Sequence, residues 1–161
     1  MVKRLEPVTS APIDARAQII DVIGAVTLHI DLQEFEAARS LFTPDATFCY
    51  QSLFGGDSSP IPAEQFWQYV LSFLPGLDRG FHQTTNFDIH VDGDTATSRS
   101  MVFACHRLDN ELWEQGGSYE HELVKLPVGW RIRQQNYTKF WERGRDLVNA
   151  GAERLAARAK T

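Results

Sequence analysis

The spacing of apolar residues changes once along this chain, near residue 80. Before that point apolar residues recur every three or four positions, which predicts helices, with one short strand among them. After it, four long segments alternate between polar and apolar residues and are separated by short turns, which predicts an antiparallel meander. Helices followed by long strands, without βαβ alternation, predict the α+β class. We expect a curved antiparallel (mixed) sheet wrapped around N-terminal helices in a cone with an internal pocket.

These patterns predict one domain, 1–161, that begins with an irregular arm at 1–13. A first helix is expected from Asp14, which can cap it, to Asp31. The other predicted elements are a short helix at 35–42, a strand at 47–50, a helix at 62–74, strands at 81–91, 95–107, 114–125 and 130–139, and a C-terminal helix at 141–161.

Composition narrows the class of ligand. With 161 residues, 43% of them hydrophobic, the chain is long enough to bury a core and still enclose a pocket. Its formal net charge of -5, with Lys and Arg scattered among acidic residues, argues against a nucleic-acid partner and favours a small neutral ligand. No segment has the length of a membrane span or the pattern of a signal peptide, so we expect no membrane association and a cytoplasmic location.

Several motifs are missing from the sequence. The chain has no GxGxxG, P-loop or GxSxG motif, so nucleotide-driven and serine-hydrolase chemistry is not expected. Cys49 and Cys105 lie far apart in apolar segments, which predicts buried free thiols. The five histidines lack the spacing of metal ligands. We therefore expect no bound metal and no cofactor.

Asp31 is the candidate acid–base residue of the first helix. Steps of three or four residues connect Ile20, Ile23 and Thr27 to Asp31, so its carboxylate ends the helix face that we expect to be buried. An unpaired carboxylate in that place would be costly. Either it has a partner inside the protein, or it reaches solvent or caps the next helix, and the sequence favours neither alternative.

His82 begins the first long strand, whose alternate residues Thr84, Asn86 and Asp88 share one polar face. That face predicts a polar lining of the pocket, although a solvent-exposed face would have the same pattern. If a buried carboxylate holds His82, the ring is fixed in one tautomer and its other nitrogen becomes a stronger base near neutral pH.

His106 lies on the same face as His82 only in some strand registers. A two-residue turn at Asp92-Gly93 would place Phe103 opposite His82 and turn His106 to the other face. A three-residue loop or a single bulge would bring His106 back to the same face, and the sequence does not choose between these registers. Aromatic residues are plentiful, and we expect a few of them to contact a flat apolar ligand.

Four segments in order resemble the SnoaL-like branch of the nuclear-transport-factor-two-like superfamily: a helix ending in Asp31, then LFTPDATF, then HQTTNFDIHVDGDTATS, then a strand closing on GWRI. The resemblance covers residues 14–140 and implies the cone-shaped fold. This superfamily includes dehydratases, dehydrohalogenases, isomerases, cyclases and non-catalytic binders, so the fold does not set the function. Within it, the chain is more similar to the scytalone dehydratases than to the hexachlorocyclohexane dehydrochlorinases.

The resemblance implies four catalytic residues. Asp31 and His82 match the Asp–His dyad of both enzyme groups, His106 matches the second histidine of the dehydratases, and Tyr50 matches a tyrosine that orders substrate or water. We expect six further residues to contact the substrate. They are Leu53, Phe54, Trp67, Asn86, Ala104 and Tyr119.

The chain also departs from the dehydratase pattern. Ile30 stands where the family has a tyrosine, and Gly117 and Tyr119 replace a polar Ser and Asn on the third long strand. We therefore expect a substrate other than the polyphenol of the fungal dehydratases.

Together these features predict a cofactor-independent lyase of the dehydratase type, acting on a small, largely apolar, cyclic or aromatic substrate. In this interpretation His82 is the general base and Asp31 orients it. An isomerase or cyclase with the same dyad and a non-catalytic ligand-binding module remain alternatives. The resemblance further implies that copies of the chain associate through the outer face of the sheet, as a homodimer or homotrimer.

Overall fold

The computed structural model of the chain describes residues 14–160, so the predicted arm at 1–13 lies outside the described residues. The helices are α1 Ala15–Asp31, α2 Phe35–Arg39, α3 Gln51–Phe54, α4 Ala63–Leu71 and α5 Leu147–Arg158, with a 3-10 turn at Leu74–Gly76. The strands are β1 Phe42–Cys49, β2 Ile61–Pro62, β3 Arg79–Asp92, β4 Thr95–Leu108, β5 Glu111–Leu126 and β6 Gly129–Arg143. Within 14–160, no helix combines the length and apolar character needed to cross a bilayer.

A six-stranded sheet in the order β2-β1-β6-β5-β4-β3 organises the chain. Strands β3 to β6 form the predicted antiparallel meander, whereas β1 runs parallel to β6, so the sheet is mixed. The helices α1 and α4 pack against this sheet. The prediction of an α+β fold with N-terminal helices and a mixed sheet is confirmed.

The core lies between these helices and the sheet. Asp14 caps α1 as predicted, because its Oδ1 accepts a hydrogen bond of 2.8 Å from the backbone N–H of Ala17. In α1 the side chains of Ile19 and Ile23 are at most 1% exposed. Burying a side chain of this size contributes about 1.5–3 kcal/mol, so this face holds the helix, and with it Asp31, in a fixed place on the sheet.

Strand β1 begins earlier than the sequence pattern indicates. Phe42, predicted at the end of the second helix, pairs with Ile132 of β6, and α2 ends at Arg39. The pairing with β6 shifts register between Phe42 and Thr47, so Pro44 has no partner residue in β6. A proline is tolerated in a strand at such an irregularity, because it has no N–H to donate there.

The predicted C-terminal helix at 141–161 starts too early. Strand β6 continues to Arg143, and α5 begins only at Leu147. The extension is possible because β5 and β6 shift register beside Gly116, where Trp141 pairs with a residue that has no side chain. A Cβ atom at position 116 would overlap the Trp141 indole. The apolar residues at the start of the predicted helix therefore have helical spacing only by coincidence, since they belong to β6.

The two cysteines are free, as predicted, but neither is fully buried. Cys49 and Cys105 are both partly exposed. The apolar segments around them belong to strands of which one face is open, so alternation along the strand decides their exposure.

Candidate active site

Asp31 and His82 meet where the last turn of α1 crosses the start of β3. The Asp31 Oδ1 and His82 Nδ1 atoms are 2.6 Å apart, and Asp31 Oδ2 accepts a hydrogen bond of 2.7 Å from the backbone N–H of His82. Both side chains are largely buried, with exposed fractions of 14% and 8%. The carboxylate thus has a partner inside the protein. Because Nδ1 donates its proton to the carboxylate, Nε2 is left as the basic nitrogen.

Gly80 makes this contact possible and was not recognised from the sequence. A Cβ atom at position 80 would lie 2.7 Å from Asp31 Oδ1 and 3.3 Å from the His106 ring. A side chain there would therefore displace the carboxylate. The available signal was a glycine inside a strand pattern, which often marks a place where another group approaches the backbone closely.

A single bulge in β3 settles the register that the sequence left open. The turn between β3 and β4 contains two residues, Gly93-Asp94, because Asp92 pairs with Thr95. Beyond the bulge, His82 pairs with Ala104, so His106 lies on the same face as His82. The two imidazole rings have centroids 5.2 Å apart at 83°, an edge-to-face arrangement.

The same bulge corrects the prediction for Asn86. The register shifts between Thr85 and Asp88, and Asn86 has a positive φ of 57°, a conformation that Asn tolerates better than most residues. Inward and outward positions exchange at this point, so Asn86 and Asp88 are exposed while Phe87 faces the core. The prediction that Asn86 contacts substrate in the pocket is wrong, because it does not line the cavity.

His106 is buried against an aromatic wall. Its ring stacks on Trp113 at 4.9 Å between centroids, and the Trp113 indole N–H donates a 2.8 Å hydrogen bond to Glu142. Burial, together with the nearby His82, holds the pKa of His106 well below its usual value. His106 is therefore neutral at physiological pH. Its Nδ1 has no hydrogen-bond partner among residues 14–160.

Tyr50 lines the same cavity as His82 and His106. The side-chain N–H of Gln135 and the hydroxyl of Tyr119 both donate to the Tyr50 oxygen. Because the oxygen already accepts two hydrogen bonds, its own proton is available to another acceptor. Burial raises the pKa of Tyr50 above its usual value, so this proton is retained at neutral pH.

The short helix α3, which follows Tyr50, is fixed to the last strand. Ser52 Oγ donates a 2.8 Å hydrogen bond to the Tyr137 carbonyl and accepts one of 2.9 Å from the Lys139 N–H. The Arg145 guanidinium donates to the Leu53 carbonyl at 2.5 Å. These contacts hold the α3 side chains in the wall of the cavity.

The cavity between the helices and the sheet has a volume of about 60 Å³. Tyr50, His82 and His106 line it, and Asp31 lies behind His82. Of the six residues predicted to contact substrate, five line it. They are Leu53, Phe54, Trp67, Ala104 and Tyr119.

Much of the remaining wall was not identified from the sequence. It includes residues of α4 and the turn after it, and Trp113, Gln115 and Tyr137 of the sheet. Helical spacing marked the α4 residues as core, and nothing in that pattern distinguishes a cavity wall from a packed core. None of the described wall residues is Lys, Arg, Asp or Glu. Within the described part of the chain, no three potential metal ligands are grouped together.

Comparisons with known proteins agree with this architecture. A family model described as the SnoaL-like domain matches residues 11–136. An uncharacterised protein of Mycobacterium tuberculosis is 34% identical over 141 residues, which span 83% of this chain and 90% of that protein. A crystal structure of a protein from Kribbella flavida has a TM-score of 0.76 and 26% identity, and the match covers 84% of this chain and 97% of that one.

More distant solved structures have the same fold. A protein from Novosphingobium aromaticivorans that carries the provisional name scytalone dehydratase has a TM-score of 0.67 and 20% identity, over 80% of this chain and 86% of its own. A hexachlorocyclohexane dehydrochlorinase, LinA type 2, has a TM-score of 0.65 and 19% identity, over 80% and 87%. Since the family model matches most of the chain and a relative exceeds 30% identity, this protein belongs to the SnoaL-like domain family, within the nuclear-transport-factor-two-like fold.

Proposed function

We propose that this protein is a lyase that removes a proton from carbon and expels a neighbouring leaving group, water, from a small uncharged substrate. The observation that carries the proposal is the Asp31–His82 pair, in which the carboxylate holds both the ring and the backbone of a histidine that lines an apolar cavity. A base held in one tautomer beside an apolar pocket is the arrangement that general-base catalysis on carbon requires.

The role proposed for each side chain in the reaction depends on whether that side chain carries a proton. His82 Nε2 takes the proton, the electron pair forms a carbon–carbon double bond, and the bond from carbon to the leaving oxygen breaks. Cationic His82 then returns the proton to that oxygen, which releases water and restores the neutral base. Asp31 stabilises the transient imidazolium of His82. The Tyr50 hydroxyl donates a hydrogen bond to a carbonyl oxygen of the substrate, which gains negative charge as the proton leaves, and a neutral His106 forms a hydrogen bond with the leaving oxygen.

The wall of the cavity supports an uncharged substrate. A charged ligand would lose its hydration without a counter-ion in the described wall, which is costly. The family processes small molecules, and two of the structural neighbours have names that denote elimination of water and of hydrogen chloride. An elimination that forms a carbon–carbon double bond requires removal of a proton from carbon, which is the role proposed for His82.

The test uses a panel of uncharged cyclic β-hydroxy ketones, with product masses determined by mass spectrometry. We expect loss of water with at least one compound. Asp31→Asn and His82→Gln should lower the rate by about 10²–10⁴, the usual contribution of a general base. Each variant should retain its circular dichroism spectrum, since neither substitution changes side-chain volume greatly.

A matched control exists on the surface of the same strand. His90 and Asp88 also form a pair, with Nε2 and Oδ1 3.3 Å apart, but both side chains are more than half exposed. Asp88→Asn and His90→Gln should leave turnover unchanged. Near-normal turnover in His82→Gln would contradict the proposal, and a product of unchanged mass would indicate the isomerase or cyclase alternative instead.

A further inference from the structure

Two polar groups in the cavity wall have no role in the proposed reaction. Gln115 Oε1 and the Tyr137 hydroxyl, like His106 Nδ1, are without hydrogen-bond partners among the described residues. All three residues line the cavity and are at most 5% exposed. Buried polar atoms are nearly always paired, so unpaired atoms in the side chains of a cavity wall indicate that a bound molecule supplies the partner.

Gln115 lies directly across the cavity floor from the proposed base. His82, Ala104 and Gln115 form one row across β3, β4 and β5, because His82 pairs with Ala104 and Ala104 pairs with Gln115. Adjacent strands are about 4.8 Å apart, so the backbones of His82 and Gln115 are separated by roughly 10 Å. The residue between them is an alanine, so no bulky side chain separates His82 from Gln115.

The next two residues on the same face of β5, Gly117 and Tyr119, offer no free polar side chain to a ligand. A Cβ atom at Gly117 would lie 2.8 Å from the Tyr137 ring, so that ring occupies the space in which a side chain at 117 would stand. The hydroxyl of Tyr119 is already used by Tyr50. Gln115, two residues earlier on the same face of the strand, therefore presents the amide that is available on this part of β5.

We propose that Gln115 determines specificity by accepting a hydrogen bond from a hydroxyl group at the end of the ligand remote from His82. The inference rests on the proposed function in placing the reacting carbon at His82. A hydroxyl fits this position because it donates to Oε1 without bringing a charge into the cavity. A ligand that lacks the hydroxyl leaves Oε1 buried and unpaired, so the cavity discriminates against it.

The test measures binding of unreactive probes by isothermal titration calorimetry. The probes are 4-ethylphenol, ethylbenzene and 4-ethylanisole, of which the phenol alone can donate a hydrogen bond. We expect the wild-type protein to bind 4-ethylphenol about tenfold more tightly than the other two. Gln115→Leu should reduce that preference to less than twofold, with Gln115→Met as a second variant. Gln83→Leu, on the exposed face of β3, should keep the tenfold preference.

The outcomes separate this inference from the proposed function. His82→Gln should lose turnover but retain the preference for 4-ethylphenol, because the probes do not react. An unchanged preference in Gln115→Leu, no preference in the wild type, or no binding of any probe would overturn the inference, even if elimination depends on Asp31 and His82. A preference that disappears with Gln115 while no elimination is found would support Gln115 and count against the lyase.

Discussion

Replacing Gly80 by alanine tests whether the position of the Asp31 carboxylate controls the candidate base. A Cβ atom at position 80 would lie 2.7 Å from Asp31 Oδ1, and such contacts shorter than 3.0 Å are essentially never observed. The carboxylate must therefore retreat by about 0.3 Å to relieve the overlap, and by about 0.7 Å to reach ordinary contact at 3.4 Å. The hydrogen bond from His82 Nδ1, 2.6 Å long, would lengthen accordingly.

The size of the effect follows from the hydrogen bond that is lost. A hydrogen bond to a charged group contributes about 1.5–3 kcal/mol, and each 1.36 kcal/mol at the transition state is about tenfold in rate. We expect Gly80→Ala to lower kcat/KM by roughly 10- to 100-fold. The fold should persist, because the overlap involves one movable side-chain atom and the alanine also restricts the unfolded chain.

Two measurements check this prediction. Elimination kinetics report the rate, and proton NMR of the ¹⁵N-labelled protein reports the His82 Nδ1 proton, which a short bond to a carboxylate shifts far downfield. Gly24→Ala is the matched control, because nothing lies within 4 Å of a Cβ atom at that position of α1. It should stabilise the helix by up to about 1 kcal/mol and leave both readouts unchanged. If Gly80→Ala leaves the rate and the NMR signal intact, the gap at Gly80 does not set the position of Asp31.

Two further predictions concern stability. Burial lowers the pKa of His121 to about 4, so as the pH falls from 6.5 toward 4 the unfolded chain binds a proton that the folded chain does not, and stability decreases. Urea unfolding at pH 6.5 and 5 should show a loss of about 1.5 kcal/mol from His121, and an equal pH dependence in His121→Asn would refute this. A Cβ atom at Gly76 would overlap the Gly151 carbonyl in α5, so Gly76→Ala should cost about 1–3 kcal/mol, and an unchanged Tm would contradict it.

The sequence predicted well those elements that are decided by local chemistry. Asp14 and the apolar spacing that follows it define α1, and the helix begins within one residue of its predicted start. Alternation and turn residues predicted the four long strands of the meander. Both signals act over a few residues, so a single sequence carries them.

The failures occur where distant parts of the chain decide the outcome. The bulge beside Asn86 depends on how β3 fits β4, and it exchanges the faces of the strand for every residue beyond it. The extension of β6 to Arg143 depends on Gly116 across the sheet. Gln115 was not identified as a site residue because alternation along a strand shows which side chains are buried. Whether they line a cavity or a packed core depends on elements distant in sequence.

The parallel pairing of β1 with β6 has a consequence for the order of events during synthesis. The cavity wall extends from Ile30 in α1 to Tyr137 in β6, so the candidate site requires the strand that is synthesised last of the six. Until β6 leaves the ribosome, β1 has only the two residues of β2 as a described sheet partner. Pairings this remote in sequence fold slowly, on the order of milliseconds to seconds. Until β6 is made, the edge of β1 that pairs with it therefore stays open, and the cavity forms only when β6 closes the sheet.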